Sequence, residues 1–317
     1  MALHSYMAYG LRIQSEIPCP ELAPARDFSD ASDVIIRLLP TVPHDPEPTK
    51  EGYFQVQPGV FRLTIPRVAR YLIEEGTHIF IEPHEGASIE EVRLFLLGSV
   101  MGALLYQRGL FPLHGSAIDT KWGAMIFVGP QKIGKSTLAA HFHRRGYNLL
   151  SDDVCAVFPA GDQISVLPAL AQIRLCDDAY QRLGQPHGAR FHVDKFVVPL
   201  TEGYCAQPVP LRTVHLLATH DEDNPEYRVL RGFDRIQILL ENLYRPQFLK
   251  GQATQSNLMR LTAEIALNAT IARVSRRCDP TKIDDLVDFL ELAWAQNFDT
   301  LQERRPSKCA NSTQMTD

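Results

Sequence analysis

A glycine loop decides the fold of this chain, and it reads Gly129-Pro130-Gln131-Lys132-Ile133-Gly134-Lys135-Ser136-Thr137. This pattern, G-x-x-x-x-G-K-S, is typical of the phosphate-binding loop between a buried strand and a helix. Residues 125–128 form a short apolar run ahead of the loop. Residues 136–145 then show a helical spacing of apolar side chains that ends before Gly146. The sequence therefore predicts strand, loop and helix, with a glycine-rich surface turn as the alternative.

The residue types in the glycine loop predict nucleotide chemistry. Gly129 and Gly134 let the backbone approach phosphate groups and direct N–H groups at them. Lys135 supplies a positive charge for the β- and γ-phosphates, and the Ser136 hydroxyl is a ligand for Mg²⁺. We therefore expect ATP and Mg²⁺ as cofactors. The candidate cofactor-binding residues are Gly129, Gln131, Lys132, Ile133, Gly134, Lys135, Ser136 and Thr137.

Two adjacent carboxylates, Asp152 and Asp153, lie within the apolar stretch 147–157. Carboxylates in such surroundings are costly unless they are paired or coordinate a metal ion. Neighbouring side chains on a strand point to opposite faces. We therefore expect one carboxylate to face a Mg²⁺ near Ser136, and the other an acceptor hydroxyl or a neighbouring strand. A turn with two solvated aspartates is the alternative.

Composition and charge restrict the class of protein. The chain has 317 residues, enough for one large or two modest domains. Its net charge is −5, whereas general nucleic-acid-binding proteins usually carry a basic surface. No nucleic-acid partner is therefore expected. The longest apolar stretch, residues 94–106, is too short to span a membrane, so no membrane partner is expected. The six cysteines form no C-x-x-C pair and no signal-peptide pattern is visible, which favours a reduced, cytoplasmic setting.

The chain divides into three parts by pattern. Residues 1–87 are predicted to be a β-rich N-terminal domain with a small antiparallel sheet. Residues 88–301 are predicted to be an α/β catalytic domain with a mixed α+β sheet around the glycine loop, and residues 302–317 a polar tail. A capping box at Ser88 predicts a buried helix between the halves. This helix could serve an interdomain contact or an intersubunit contact in a homo-oligomer.

Three further residues are candidates with an open alternative. His114 lies on a short strand ahead of the glycine loop. It is predicted to be either a hydrogen-bonded core histidine or an acid–base group near the phosphates. Arg190 and Lys195 lie in and after a loop rich in glycine, proline and basic residues. They are candidate phosphate or substrate contacts, or part of a solvated basic turn.

Three segments together carry a family resemblance: Leu113-His114-Gly115, the glycine loop, and Leu149-Leu150-Ser151-Asp152-Asp153-Val154. They resemble the catalytic domain of HPr serine kinase/phosphorylase. The whole chain, with its opening residues 6–22 and residues 195–200, resembles the shorter HPr-kinase-like proteins, some of which phosphorylate lasso-peptide precursors. The resemblance implies a P-loop kinase fold related to phosphoenolpyruvate carboxykinase.

The resemblance also implies roles for single residues. Asp152 resembles the general base that takes the proton from an acceptor serine, and Asp153 the carboxylate on the metal side. His114 resembles the histidine beside the base, and Lys135 completes the catalytic set. The implied activity is ATP-dependent phosphorylation of a serine or threonine in a peptide or protein, such as a lasso-peptide precursor. The residues alone leave open a small-molecule hydroxyl kinase and a non-catalytic nucleotide-binding sensor.

One motif departs from the family pattern. Gln172-Ile173-Arg174 stands where HPr kinases carry Glu-Ile-Arg. A neutral amide there removes a candidate metal contact, so the reverse phosphorylase reaction does not follow from the resemblance. Residues 1–87 do not match the N-terminal domain of HPr kinases, so HPr as a substrate does not follow either.

Overall fold

Two large β-sheets with helices packed against them form the protein in a computed structural model. It describes residues 3–25, 31–43, 53–161, 163–184, 189–192, 195–249 and 255–302. The fold class is mixed α/β, as the sequence predicts. None of the helices in these segments is long and apolar enough to cross a membrane. The predicted tail lies, apart from Gln302, outside the described residues, and the predicted domain boundaries stay predictions.

The N-terminal sheet has eight strands in the order β3-β1-β2-β4-β8-β7-β6-β5. The strands are β1 (His4–Ala8), β2 (Leu11–Ser15), β3 (Ala23–Pro24), β4 (Val34–Leu38), β5 (Tyr53–Gln57), β6 (Val60–Ile65), β7 (Ala69–Glu74) and β8 (His78–Pro83). The prediction of a small antiparallel sheet is wrong in one respect, since β4 runs parallel to both β2 and β8. The alternation of apolar and polar residues indicates which face of a strand is buried, but it does not indicate whether the neighbouring strands run parallel or antiparallel.

A helical segment joins this sheet to the second one. It consists of α1 (Ile89–Phe95), a π-helical stretch (Leu96–Val100) and α2 (Met101–Gln107). The predicted capping box is present, since the Ser88 side chain accepts from the Glu91 backbone and the Glu91 side chain accepts from the Ser88 backbone. All residues from 96 to 106 are buried. The predicted buried helix is therefore confirmed, with a π-helical interruption of the kind often found at functional sites.

The second sheet has seven strands in the order β10-β9-β11-β12-β16-β18-β17. A smaller three-stranded sheet has the order β13-β15-β14. Their bounds are β9 (Phe111–Thr120), β10 (Gly123–Val128), β11 (Asn148–Ala160), β12 (Gln163–Val166), β13 (Gln172–Cys176), β14 (Ala189–His192), β15 (Lys195–Pro199), β16 (Val209–Thr219), β17 (Glu226–Val229) and β18 (Thr270–Arg276). β9 and β10 form the predicted hairpin.

Helices cover the second sheet on both faces. They are α3 (Lys135–Arg144), α4 (Asp177–Leu183), α5 (Phe233–Glu241), α6 (Gln255–Asn268) and α7 (Ile283–Gln302), with short 3-10 turns at Pro246–Leu249 and Pro280–Lys282. α3 and α7 share one core around Trp294, while α2, α5 and α6 share the other core with the N-terminal sheet. β10, β16 and β18 run parallel, so their carboxyl ends meet at one edge. Ligands of α/β sheets bind at such edges.

Tyr244 packs against the helical segment of residues 89–107, here called the joint helix, because two glycines leave room for its ring. A Cβ atom on Gly102 would lie 2.6 Å from Cε1 of Tyr244, whereas one on Gly98 would lie 3.6 Å from its hydroxyl oxygen. The Tyr106 hydroxyl donates to the Tyr244 carbonyl oxygen at 2.7 Å. The joint helix therefore holds Tyr244, whose ring centroid lies 6.0 Å from that of His114.

We expect Gly102→Ala to destabilise the protein relative to Gly98→Ala by about 1–3 kcal/mol, the usual cost of overpacking a core. Both substitutions replace a buried glycine by alanine in the same helical segment, and only the one at Gly102 brings a Cβ atom into the Tyr244 ring. The measurement is the free energy of unfolding in urea. Equal stabilities of the two variants would contradict the close contact.

Candidate functional site

The glycine loop has the backbone geometry that its sequence predicts. β10 enters the loop, and α3 begins directly behind Gly134, whose φ is 99°. A Cβ atom on Gly129, where φ is 137°, would lie 2.8 Å from the Leu217 carbonyl oxygen, so only glycine fits there. Lys135 Nζ donates to the carbonyl oxygens of Gly129 at 2.9 Å and of Pro130 at 3.1 Å. The predicted strand, loop and helix are therefore present, with the lysine folded over the loop.

Asp152 is a buried carboxylate held by hydrogen-bond donors from several elements. Its Oδ1 accepts from Ser116 Oγ of β9 at 2.6 Å, and its Oδ2 accepts from the Arg174 backbone N–H of β13 at 2.7 Å. The Ser136 side chain is a further hydrogen-bond partner. Burial raises the pKa of Asp152, and these hydrogen bonds act against that shift. Asp152 therefore lies beside Ser136 of the glycine loop.

Asp153 lies next in the chain but has a strained backbone, with a φ of 80°. Its Oδ2 accepts from Arg174 Nη1 at 2.6 Å. Both aspartates therefore contact Arg174: Asp152 accepts from the Arg174 backbone, and Asp153 accepts from the Arg174 side chain. That the two side chains point to opposite faces of β11 stays a prediction.

His114 contacts Asp153 from the neighbouring strand. Its Nδ1 lies 3.0 Å from the Asp153 carbonyl oxygen and 3.6 Å from Asp153 Oδ1. A carbonyl oxygen only accepts, so this contact places the proton on Nδ1 and the lone pair on Nε2. The protein surroundings lower the pKa of His114 by removing water from the ring, while Asp153 acts in the opposite direction. The ring is therefore a neutral imidazole beside the aspartates near neutral pH.

Several residues of this cluster carried no role in the sequence analysis. Ser116 hydrogen-bonds Asp152, Arg174 links both aspartates, and Tyr244 lies beside His114. The pairing of Ser116 with Asp152 across β9 and β11 follows from strand register. Register cannot be read from the sequence of either strand alone. For Arg174, its place in the Gln-Ile-Arg motif indicated that it could belong to the site.

Arg190 lies on β14 and not in the expected loop, and Lys195 is the first residue of β15. β15 pairs with β13, the strand that carries Arg174, so both positions belong to a sheet next to the aspartates. Their side chains are outside the described part of the structure. Their contacts with phosphate or substrate stay a prediction.

The donor set around the glycine loop fits Mg²⁺. The Ser136 hydroxyl and the Asp152 carboxylate are in contact, and both are hard oxygen ligands. Mg²⁺ usually binds to one or two carboxylates together with waters and substrate phosphates, so this pair is sufficient. Among the described residues, no group of three or more His, Cys, Asp or Glu side chains is placed to hold a metal ion. Asp153, to which the resemblance gives the metal side, forms an ion pair with the Arg174 guanidinium group, and its metal role stays a prediction.

Gln172, at the departure from the family pattern, is buried on β13. Its side-chain oxygen has no hydrogen-bond partner within the described segments.

A cavity of about 590 Å³ adjoins the glycine loop. Its lining includes His114, Gly129, Pro130, Gln131, Glu241 and Arg273. It lies at the edge where β10, β16 and β18 end.

We expect Asp152→Asn to raise the melting temperature of the nucleotide-free protein at pH 7 by roughly 2 °C or more. The folded protein holds the proton of Asp152 more tightly than the unfolded chain, whose ordinary pKa is 3.8. Ionisation therefore destabilises the fold as pH rises from 3.8 through the raised pKa, and the cost is fully present above it.

The advantage of Asp152→Asn should shrink as pH falls through the raised pKa, which calorimetric scans across pH would record. Asp178→Asn is the matched control, because Asp178 is exposed and pairs with Arg182 on α4. A lower melting temperature for Asp152→Asn at every pH would contradict the argument. The lost hydrogen bonds would then outweigh the relief of a buried charge.

Comparisons with known proteins agree with the predicted resemblance. No family model matches the chain. A curated protein named HPr kinase/phosphorylase, from Chlorobium phaeovibrioides (strain DSM 265 / 1930), is 28% identical over 102 residues, which are 32% of this chain and 29% of that protein. The match thus spans about three tenths of that relative's length. Among solved structures, the HPr(Ser) kinase/phosphatase from Coxiella burnetii covers 61% of this chain and 98% of its own, at 15% identity and a TM-score of 0.34.

The lasso-peptide type is not among these similarities and stays a prediction. The sequence match is limited to one segment, so activity and substrate are matters for proposal. Within that limit, the similarity confirms the resemblance that the motifs predicted: a segment of the chain is similar to HPr kinase/phosphorylase.

Proposed function

We propose that the protein is an ATP-dependent kinase that transfers the γ-phosphate to a serine or threonine hydroxyl of a peptide or protein. The observation that carries this proposal is the contact of Asp152 with Ser136, which joins the aspartate pair to the glycine loop. A kinase needs a phosphate-binding loop and carboxylates within reach of one another. The similarity to the HPr kinase/phosphorylase from Chlorobium phaeovibrioides supports the same reaction class.

The glycine loop is proposed to hold the triphosphate. Backbone N–H groups at the start of α3 and the Lys135 ammonium group stabilise negative charge there without reorganisation. Ser136 and Asp152 would hold Mg²⁺, which supplies charge neutralisation at the β- and γ-phosphates. The role of these residues is to bind and orient ATP.

The acceptor side is proposed to lie at Asp153 and His114. The sequence assigned the base to Asp152 and the metal side to Asp153, but the contacts favour the reverse division. Asp152 is buried against Ser136, whereas Asp153 is the partner of His114 and Arg174. In this reaction the acceptor oxygen bonds to the γ-phosphorus and its proton passes to Asp153. The bond from the γ-phosphorus to the bridging oxygen breaks, and ADP leaves.

A lasso-peptide precursor is the finer substrate prediction, and a small-molecule hydroxyl is a second candidate. The second is favoured by the cavity of about 590 Å³ beside the glycine loop. Small-molecule sites commonly have volumes of about 300–1,000 Å³. The cavity reaches His114, so it adjoins the proposed acceptor side.

Incubation of the purified chain with ATP, Mg²⁺ and a panel of acceptors tests the reaction. The panel contains lasso-peptide precursors, each with a matched version in which serine and threonine are alanine, and hydroxylated metabolites. We expect mass spectrometry to detect a phosphorylated product only from peptides or proteins that keep the hydroxyl. Turnover of metabolites alone would favour the second candidate. ATP binding without any product would contradict both and indicate a sensor.

We expect Asp153→Asn to lower kcat by about 10²–10⁴-fold, the usual contribution of a general base, while the Kd for Mg²⁺-ATP stays within about twofold. Asp152→Asn should instead weaken the dependence of ATP binding on Mg²⁺. Titration calorimetry at several Mg²⁺ concentrations and steady-state kinetics separate the two effects. Asp178→Asn serves again as the control. The opposite pattern would restore the assignment made from the sequence.

A further inference from the structure

Arg276 contacts the glycine loop from outside the predicted motif. It is the last residue of β18, whose carboxyl end lies at the same edge as the loop. Its Nη2 donates to the Ile133 carbonyl oxygen at 3.0 Å. A Cβ atom on Gly134 would lie 3.1 Å from the same nitrogen. The guanidinium group therefore touches the turn at which α3 begins.

The charge of Arg276 has no carboxylate partner within the described segments. The neighbouring Arg277 pairs with Asp223 at 2.6 Å, and Arg174 pairs with Asp153 at 2.6 Å. Arg276 forms no such ion pair, and Nη1 donates to a carbonyl oxygen, that of Arg277, at 3.2 Å. Its Nε is buried without a hydrogen-bond partner. Burial lowers the pKa of Arg276, and the nearby Cys278 and Asp279 only partly oppose this.

Positive charge therefore accumulates at one point of the sheet edge. The Lys135 ammonium group lies over the glycine loop, and the N-terminus of α3 adds the positive end of its dipole. A partly buried guanidinium group beside them is unfavourable unless an anion neutralises it.

We propose that Arg276 is a nucleotide-binding residue whose guanidinium group contacts oxygen atoms of the polyphosphate chain. The proposal rests on the proposed function, because it needs a nucleotide in the glycine loop. Arginine suits the position because its planar fork can donate to the Ile133 carbonyl oxygen and to a phosphate at the same time. Lysine has a single charged nitrogen and cannot span both partners as well.

Titration calorimetry with Mg²⁺-ATP and with Mg²⁺-pyrophosphate tests this role. We expect Arg276→Gln to raise both Kd values by about tenfold or more, and Arg276→Lys to raise them less, because it keeps the charge. Arg277→Gln is the matched control, since Arg277 is adjacent, exposed and paired with Asp223; its Kd values should stay within about twofold of wild type. The binding stoichiometry reports the folded fraction, so a folding defect lowers the stoichiometry and leaves Kd unchanged.

Three results would overturn the proposal. Wild-type Kd values in Arg276→Gln, with or without a lower stoichiometry, would show a structural role alone. A loss confined to ATP, with pyrophosphate binding unchanged, would place Arg276 at the nucleoside and not at the phosphates. A wild-type protein that binds neither ligand would overturn the proposed function together with this inference, whereas the first two results leave the proposed function intact.

Discussion

The site depends on one buried carboxylate. Asp152 has little contact with solvent, and donors from β9, β13 and α3 satisfy its oxygens. A buried charge of this kind requires such donors, so the carboxylate connects three elements that are distant in the chain. β9 pairs with both β10 and β11 and so fixes the glycine loop relative to the aspartates, and Asp152 adds a side-chain link to Ser136. Its raised pKa reflects the cost of this arrangement, as is common at functional sites.

Arg174 and the strained backbone at Asp153 complete the cluster. Asp152 accepts from the Arg174 backbone N–H and Asp153 accepts from the Arg174 side chain, while the φ of Asp153 is 80°. A positive φ at a residue other than glycine costs roughly 1–3 kcal/mol and persists only where the surroundings impose it. Here the surroundings are an ion pair with Arg174 and the contacts with His114. Strain at this point is consistent with a site in which the position of one carboxylate matters more than local stability.

The N-terminal sheet belongs to the same arrangement and is not a separate appendage. Tyr9, in the turn between β1 and β2, is buried, and its backbone N–H donates to the Pro168 carbonyl oxygen at 2.8 Å. Its phenol group is near enough to Tyr244, Arg174 and Asp153 for their charges to influence its pKa, which burial raises strongly. The joint helix holds Tyr244 through the space left at its two glycines. Packing of the N-terminal half thus extends to residues around the aspartates.

Much of this protein could be predicted from local sequence, because local sequence determines local backbone geometry. The glycine loop required glycine at Gly129, the hairpin before it followed from a turn between apolar runs, and the aspartate pair stood out in an apolar strand. The tertiary structure decided which of these groups touch. Strand register brought Ser116 to Asp152, β13 brought Arg174 to both aspartates, and the end of β18 placed Arg276 on the loop. Such contacts join residues far apart in the chain, and they arise only when the sheet order and the packing of its edge are set.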